Sequence, residues 1–327
     1  MMGKVSVLVA VYNAGKTIAR CLDSLIAQTH NDIEILCVDD CSTDDSFDLL
    51  CEYARNDNRI RVFKHTENKG SAMARNKGLA EATGDFVCFL DSDDRLSEDA
   101  LEKALCVFDD NPRTDCVLFH VRMVDGEVEE NYPMSHFDFM TGYEAFEASL
   151  TWKIHGCYMT RMPLHKRYPY DETCRAYSDD NTTRIHYFNS KEVRCCDGIY
   201  FYYKNEMSVT HKPSVRRFDY MKANESMKRQ LTLMGVDDKV MRMYEKVRWL
   251  VVVDTYMFYF VNRNRLKREE ADFGINEIKR VWETIETDKI DFALKHKFGY
   301  MPLRFSWKLF RLQEEIYFTL KKLIGRI

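Results

Sequence analysis

Hydrophobic and polar positions change period along the first hundred residues. Short apolar or alternating stretches, typical of strands, occur at "KVSVLVAV", "IEILCV", "IRVFKH" and "FVCFL". Between them apolar residues recur at helical spacing, first at Ile18, Cys21, Leu22, Leu25 and Ile26, and a third helical stretch, "SAMARNKGLAEA", ends before Gly84. Repeated strand-helix-strand units predict a mostly parallel sheet with helices on both faces.

The rest of the chain follows a different pattern. Another helix and strand follow residue 97, the segment from about 140 to 210 is irregular, and the chain is helical and rich in Lys and Arg from about 215. The sequence therefore predicts an α/β domain over residues 1–212 and a helical region over residues 213–327. An acceptor role, a membrane-surface role and a dimer role are alternatives for the second region.

Composition narrows the function classes. The chain of 327 residues is 45% hydrophobic and 31% charged with a net charge of −4, which predicts a globular protein without a nucleic-acid partner. The 11 cysteines lack zinc spacing and are expected to be core residues in a reducing compartment. No signal peptide is apparent, and the apolar segment "WLVVVDTYMFYFV" is too short to span a bilayer, so a cytoplasmic protein is expected.

Carboxylates follow two of the predicted strands. Asp91, Asp93 and Asp94 end the "FVCFL" strand, and Asp39 and Asp40 end "IEILCV". Parallel sheets bind ligands beyond the carboxyl ends of their strands. Such a cluster suits Mg²⁺ or Mn²⁺ holding a diphosphate, and Asp39 could accept hydrogen bonds from the imide of a uracil ring. The alternative for both groups is a helix-capping turn.

Four ordered motifs give the chain a family resemblance. "VSVLVAVYNAGKTIARCLDSLIAQTHNDIEILCVDDCSTDDS" and "NKGSAMARNKGLAEATGDFVCFLDSDD" are followed by "AYSDDNTTR" and "YFYYKNEMSVTH". In these motifs the sequence resembles the family 2 glycosyltransferases of the GT-A fold. The resemblance implies a Rossmann-like, mostly parallel central sheet flanked by helices, and an inverting enzyme that uses a nucleotide-sugar donor, expected to be UDP-linked.

The resemblance also implies a set of site residues. The nucleotide-binding residues would be Ala10, Val11, Tyr12, Asn13, Asp39, Asp40, Arg75, Asp91 and Ser92. The ligands of Mn²⁺ or Mg²⁺ would be Asp93, Asp91 and His211, with Asp93 as the principal one. Arg75 could instead be an exposed helical arginine, and His211 a surface histidine.

The acidic motif departs from the family pattern. Asp180 aligns with the general base of the family and Asp179 with the Glu that commonly precedes it, but a shift by one residue would make Asp179 the base. Cys41 stands where the family often has Gly, which puts the geometry of that turn in question.

The acceptor and the cellular site are predicted from later segments. Trp152, His155 and Tyr158 precede the acidic motif, where an acceptor sugar could stack, with core packing as the alternative. The C-terminal "RFSWKLFRLQEEIYFTLKKLIGRI" predicts a basic amphipathic helix for an anionic membrane surface, the catalytic domain or a dimer partner. The family resemblance suggests a saccharide or lipid-linked oligosaccharide acceptor in surface polysaccharide synthesis, with the enzyme in the cytoplasm or peripheral on the inner face of the plasma membrane, and a homodimer as one option.

Two other functions fit parts of the sequence. "FLDSDD" resembles the first motif of haloacid-dehalogenase phosphatases, although Arg95 stands where Thr or Val is expected. A non-catalytic partner subunit would keep the fold and bind a nucleotide without turnover.

Overall fold

The structure of the chain, a computed structural model, describes residues 3–134, 137–175, 177–204 and 214–327. It divides into two compact units, Met1–Asn205 and Glu206–Ile327. The first is an α/β unit and the second is helical, which confirms the predicted fold class. The predicted boundary at residue 212 falls outside the described residues and stays a prediction.

One sheet organises the first unit. Its strands in the described residues are β1 (Val5–Val11), β2 (Ile33–Asp39), β3 (Ile60–Lys64), β4 (Phe86–Phe89), β5 (Arg95–Leu96), β6 (Thr114–Asp125), β7 (Val128–Asn131), β8 (Met140–Thr141), β9 (Tyr158–Arg161) and β10 (Glu192–Tyr203). The order is β3-β2-β1-β4-β9-β6-β10-β5, with β7 on β6 and β8 on β10. Strands β3, β2, β1 and β4 are parallel, as are β6 and β10, whereas β9 runs antiparallel between β4 and β6.

Helices cover both faces of this sheet. They are α1 (Ile18–Ile26), α2 (Ser46–Asn56), α3 (Ser71–Glu81), α4 (Ala100–Asp110), α5 (Gly142–Leu150), α6 (Met162–Arg167) and α7 (Ser178–Asn189). Alternate residues of β1 separate two cores, because Val7 and Val9 pack with residues of α1 and α4 while Leu8 packs with residues of α3. The strand is buried on both faces, as expected for a parallel sheet between helix layers.

The segment from 140 to 210 is more regular than its sequence pattern indicates. Its described residues contain β8, α5, β9, α6, α7 and all of β10. Strand β9 has only four residues, too few to show a period, and α7 begins with the polar run "SDDNTT". Neither element therefore had a hydrophobic pattern by which it could be recognised.

The turn after β2 adopts the geometry that the sequence put in question. Cys41 has a φ of 63°, in the left-handed region where glycine is favoured. Its Sγ lies 3.6 Å from the carbonyl oxygen of Thr66. The chain therefore keeps a left-handed turn at this position with a side chain in place of the family's usual glycine.

The second unit is a bundle of helices with its own core. Its helices are α8 (Asp219–Leu233), α9 (Asp238–Asn262), α10 (Arg268–Trp282), α11 (Phe292–Lys295) and α12 (Trp307–Leu323), with short 3₁₀ turns at Val215–Phe218 and Thr287–Lys289. Trp249, Tyr256 and Phe310 are buried in this core. Among the helices that the structure describes, none is both long enough and apolar enough to cross a membrane.

Candidate active site

The predicted site residues that the structure describes lie at the carboxyl edge of the parallel strands or next to it. The register pairs Val11 at the end of β1 with Asp39 at the end of β2, while Leu8 of β1 pairs with Phe89 at the end of β4. The loops after these three strands therefore open at the same edge. The first turn of α7, which carries the acidic motif, reaches this edge through a contact between Arg75 and Asp179.

Hydrogen bonds join the turn after β1 to the turn after β2. The Asn13 side chain accepts from the backbone N–H of Thr43 at 2.8 Å, and the Asn13 N–H donates to Ser42 Oγ at 3.0 Å. Asn13 has a φ of 50°, which asparagine tolerates better than most residues. The neighbouring Tyr12 is 45% exposed at this edge, where a base is predicted to bind.

Two adjacent aspartates at the end of β2 have different surroundings. Asp39 is fully buried, with Lys64 Nζ 3.6 Å from its carboxylate and the N–H of Ser42 donating to it at 3.3 Å. Asp40 accepts from the N–H groups of Lys69 and Gly70 at 2.9 and 2.7 Å, and His65 Nδ1 lies 2.8 Å away. Asp40 thus fixes the loop that leads into α3, and its predicted nucleotide contact stays a prediction.

Arg75 connects the acidic motif of β4 with that of α7. Its guanidinium donates to Asp91 Oδ1 at 2.5 Å, and its Nη1 lies 3.7 Å from Asp179 Oδ2. The side chain is only 3% exposed and stacks on Phe89, with 4.2 Å between the guanidinium carbon and the ring centroid. Although burial opposes its charge, the carboxylates of Asp91 and Asp179 raise the pKa of Arg75. The alternative of an exposed helical arginine is wrong.

Negative charge is concentrated after β4. Burial, followed by the nearby carboxylate of Asp91, raises the pKa of Asp94 to about 8. Desolvation and the carboxylates of Asp93 and Asp179 raise the pKa of Asp91, against the opposing effect of Arg75. The Asp94 carboxylate accepts bonds of 2.8 Å from the hydroxyl of Tyr200 and the N–H of Tyr203. Asp94 is therefore enclosed by protein, whereas the Asp91 side chain is 40% exposed.

The donor types in this cluster fit a hard divalent cation. Mg²⁺ is usually held by one or two carboxylates together with substrate phosphates, and the crowding that raises the pKa of Asp91 is what a cation would relieve. Within the described ranges, no group of three or more His, Cys, Asp or Glu side chains is arranged to hold a metal ion. His211, the third predicted ligand, lies outside those ranges. Asp93 and Ser92 are half-buried between Asp91 and Asp94.

The acidic motif lies in the first turn of α7. Desolvation and the neighbouring Asp179 raise the pKa of Asp180 to about 7, while Arg184 opposes the shift. Asp179 is 46% exposed on its side chain and faces Arg75. The two aspartates therefore differ in surroundings, since Asp179 pairs with the cation that also holds Asp91, whereas the Asp180 carboxyl has a raised pKa and faces Arg184.

A cavity of about 250 Å³ adjoins these carboxylates. It is lined by Phe89, Asp91, Val121, Met123, Tyr132, Trp152, His155, Gly156, Cys157, Asp179, Asp180, Thr183, Tyr200 and Tyr202. Trp152 is 49% exposed, has a φ of 58° and carries a carbonyl that accepts from the Tyr132 hydroxyl at 2.9 Å. Tyr158, predicted with Trp152 and His155 as an acceptor contact, is instead buried, with its hydroxyl 2.6 Å from His186 Nδ1.

Sequence reasoning missed several residues of this cavity. Val121, Met123 and Tyr132 come from β6 and the segment after β7, and Tyr202 from β10. Their side chains carry no motif, because an apolar residue on a strand is as common in a core as in a pocket. Only the placement of β6 and β10 beyond β9 in the sheet brings them beside Asp91 and Asp180.

Comparison with known proteins identifies a family model and several proteins that are similar to this chain. The family model of Glycosyl transferase family 2 matches residues 6–170. TuaG of Bacillus subtilis, named for teichuronic acid biosynthesis as a glycosyltransferase, is 48% identical over 101 residues, which are 31% of this chain and 40% of TuaG. The matches cover about two fifths of the length of TuaG and of one other curated relative, and between 14% and 64% of six further ones.

Solved structures show the same fold. Residues 1–349 of S. aureus TarS in complex with UDP-GlcNAc superpose with a TM-score of 0.74 at 21% identity, over 96% of this chain and 91% of that one. GalNAc-T7 with UDP, GalNAc and Mn²⁺ gives a TM-score of 0.53 at 14% identity, over 68% of this chain and 48% of that one. The fold is therefore GT-A with a helical C-terminal region, as the sequence predicted.

Replacing Arg75 with Gln should destabilise the protein by about 2 kcal/mol, because Asp91 and Asp179 lose the cation between them. Breaking a fully buried pair costs about 3 to 5 kcal/mol, and the partial exposure of both carboxylates reduces this. Urea unfolding followed by circular dichroism measures the difference. Lys77→Gln on the exposed face of the same helix is the control, expected to cost less than about 0.5 kcal/mol. Equal effects of the two substitutions would contradict the central position given to Arg75.

Proposed function

The chain belongs to glycosyl transferase family 2, and from that premise we propose that it is an inverting, metal-dependent transferase. It would move a sugar from a UDP-linked donor to a saccharide acceptor. The observation that carries the proposal is the pairing of Arg75 with both Asp91 and Asp179. This pairing sets the acidic end of β4 and the acidic turn of α7 beside one cavity.

The donor side would be formed by the edge of the parallel strands. Tyr12 is exposed there, and Asp39 is held at the strand end. Asp93 and Asp91 would hold Mn²⁺ or Mg²⁺ next to the diphosphate. The bound cation would neutralise negative charge on the departing diphosphate. Arg75 keeps Asp91 in place for this task. TarS has been crystallised with UDP-GlcNAc and GalNAc-T7 with UDP and Mn²⁺, and we extend UDP, the divalent cation and a hexosyl or N-acetylhexosaminyl group to this chain.

Asp180 would be the general base. Inversion needs a carboxylate that takes the proton of the acceptor hydroxyl while that oxygen attacks the anomeric carbon. A pKa of about 7 keeps roughly half of the Asp180 carboxyls ionised at pH 7 and makes the ionised form an efficient proton acceptor. Asp179 would instead act through Arg75, to which it is paired. These different surroundings favour the family register over a shift by one residue.

The aromatic cavity would receive the acceptor sugar. The half-exposed Trp152 ring offers an apolar face of the kind that stacks on the C–H face of a pyranose. Burial lowers the pKa of His155 to about 4, so that its ring is neutral at pH 7. His155 Nδ1 accepts from the N–H of Cys157 at 3.3 Å, which leaves the ring proton on Nε2. Because Nε2 is buried and the backbone of Phe119 also interacts with the ring, His155 would shape the cavity wall as a neutral side chain.

The acceptor proposed is a saccharide or a lipid-linked oligosaccharide in surface polysaccharide synthesis. TuaG is named for teichuronic acid biosynthesis, and a shared family makes a related polymer a reasonable substrate for this chain. A lipid-linked acceptor would be presented at the inner face of the plasma membrane, so a peripheral position belongs to the same proposal.

The two rival functions are less well supported. A haloacid-dehalogenase phosphatase places its nucleophilic aspartate after the first strand, whereas Asp91 follows β4. A non-catalytic partner subunit has no need of a carboxylate with a pKa of about 7 beside an open cavity. Turnover distinguishes this second rival from the enzyme.

Calorimetric titration with UDP, GDP and dTDP tests the donor site. We expect UDP to bind in the presence of Mn²⁺ and to lose at least about tenfold in affinity with EDTA, because the carboxylates alone repel a diphosphate. Asp93→Ala should abolish the Mn²⁺-dependent part. Asp109→Ala, on the exposed face of α4, is the matched control. If the folded protein binds no nucleotide, the donor role is wrong; if it binds UDP equally well with EDTA, the metal dependence is wrong.

Asp180→Asn should leave UDP binding unchanged and reduce sugar transfer by about 10²- to 10⁴-fold, because the general base is removed. In the wild-type protein the rate should rise with pH and level off above about 7, where Asp180 is ionised, and fall about tenfold per pH unit below it. Release of UDP from UDP-sugars between pH 5 and 9 measures both effects. An active Asp180→Asn beside an inactive Asp179→Asn would assign the base to Asp179.

Trp152→Ala should raise the KM for the acceptor roughly tenfold, because stacking on an aromatic face contributes about 1 kcal/mol or more. Hydrolysis of the donor without acceptor should not change. Steady-state kinetics with both substrates separates the two effects. Phe139→Ala removes an aromatic ring of similar exposure outside the cavity and is the control. A loss of donor hydrolysis with an unchanged acceptor KM would place Trp152 on the donor side.

A further inference from the structure

The C-terminal helix α12 has apolar residues on two faces. Phe310 and Phe318 point into the core of the second unit and are 0% and 1% exposed. A second set points away from this core and defines the outer stripe: Leu309, Leu312, Ile316, Leu320 and Leu323, each between 45% and 76% exposed. A helix that packs against a core on one side usually has a polar face on the side exposed to water. The outer stripe therefore exposes apolar area that packing in the described residues does not explain.

The sequence spacing of the outer-stripe residues places them on one side of the helix. Its residues are spaced by three or four positions, so they form a continuous row. Phe305 just before the helix and Ile324 just after it add exposures of 76% and 63%. Contiguous apolar area of this kind is typical of an interaction site.

The charges beside the outer stripe are basic. Residues 304–327 contain six Lys or Arg and two acidic residues, within a chain whose net charge is −4. Burial raises the pKa of Glu314 to about 8, so it is mostly neutral at pH 7. Glu315 is already paired with Arg263 at 2.5 Å. Lys308 and Lys322 are exposed next to the stripe, and the surface therefore attracts anions.

The apolar stripe and its basic flanks together distinguish between two possible partners of this surface, a second copy of the chain and an anionic bilayer. In a second copy packed antiparallel along the stripe, Lys308 of one helix would approach Lys322 of the other, and like charges would repel. Packed parallel, neither lysine would meet a carboxylate at the flanking positions, which are Gln313 and Ile327. An anionic bilayer surface instead accepts both the apolar row and its basic flanks.

We propose that the outer stripe of α12 docks on an anionic lipid bilayer surface, with its apolar side chains in the headgroup region and Lys308 and Lys322 against lipid phosphates. This inference names a surface for the peripheral position proposed above, but it is argued from α12 alone and does not rest on the proposed transfer reaction. It gives the second unit a function apart from the carboxylate site.

Sedimentation of the full chain with vesicles tests the inference. We expect binding to phosphatidylcholine vesicles that contain phosphatidylglycerol and at least a tenfold weaker binding to phosphatidylcholine alone. The double variant Leu312→Gln/Ile316→Gln should lose at least tenfold in binding, and Lys308→Gln/Lys322→Gln should weaken binding and reduce its dependence on salt.

The matched control is Leu233→Gln/Val261→Gln, which changes two exposed apolar residues of the same unit outside α12 and should bind like the wild type. Circular dichroism spectra and thermal unfolding transitions check that each variant is folded. Absence of binding by the folded wild type, or equal binding to both vesicle types, overturns the proposal. So does a concentration-dependent dimer, seen by light scattering, that Leu312→Gln/Ile316→Gln dissociates.

Discussion

The rest of the site depends on the ion pairs made by the guanidinium of Arg75. It lies between Asp91 after β4 and Asp179 in α7, two carboxylates that would otherwise repel each other and a third one nearby, Asp93. A buried cation shared by two acidic motifs holds them close together, because without the guanidinium the two carboxylates would repel each other and Asp91 would lose its hydrogen bond. The stacking of Arg75 on Phe89 ties this arrangement to the sheet.

As a result, the two adjacent aspartates of the acidic motif in α7 have different contacts. Asp179 is engaged with Arg75, and Asp180, one residue further along the first turn of α7, faces the aromatic cavity with a pKa of about 7. Asp40 and Asp94 are likewise adjacent to predicted functional residues but give their carboxylates to N–H groups of the protein. Asp40 and Asp94 therefore hold the protein backbone, and the roles proposed for their neighbours Asp39 and Asp93 stay predictions.

The two units differ in what they offer. The first unit gathers acidic and aromatic side chains around a cavity at the strand edge. The second presents the outer stripe of α12 with its basic flanks. If the acceptor is linked to lipid, a surface that docks on an anionic bilayer would keep the enzyme where its substrate is concentrated. The proposed carboxylate chemistry and the proposed membrane docking could then be altered independently by substitution.

The sequence by itself determined the parallel strands β1 to β4, the helices between them and the carboxylates at their ends, because these depend on local period and on the rule that parallel strands end at one edge. It also indicated the family through contiguous motifs. Only the tertiary structure decided that Arg75 is buried against Asp91 and Asp179, that Tyr158 packs on His186 while Trp152 lines the cavity, and that Asp40 holds a loop. These outcomes depend on contacts between distant segments and on the insertion of β9 between β4 and β6, which no local pattern records.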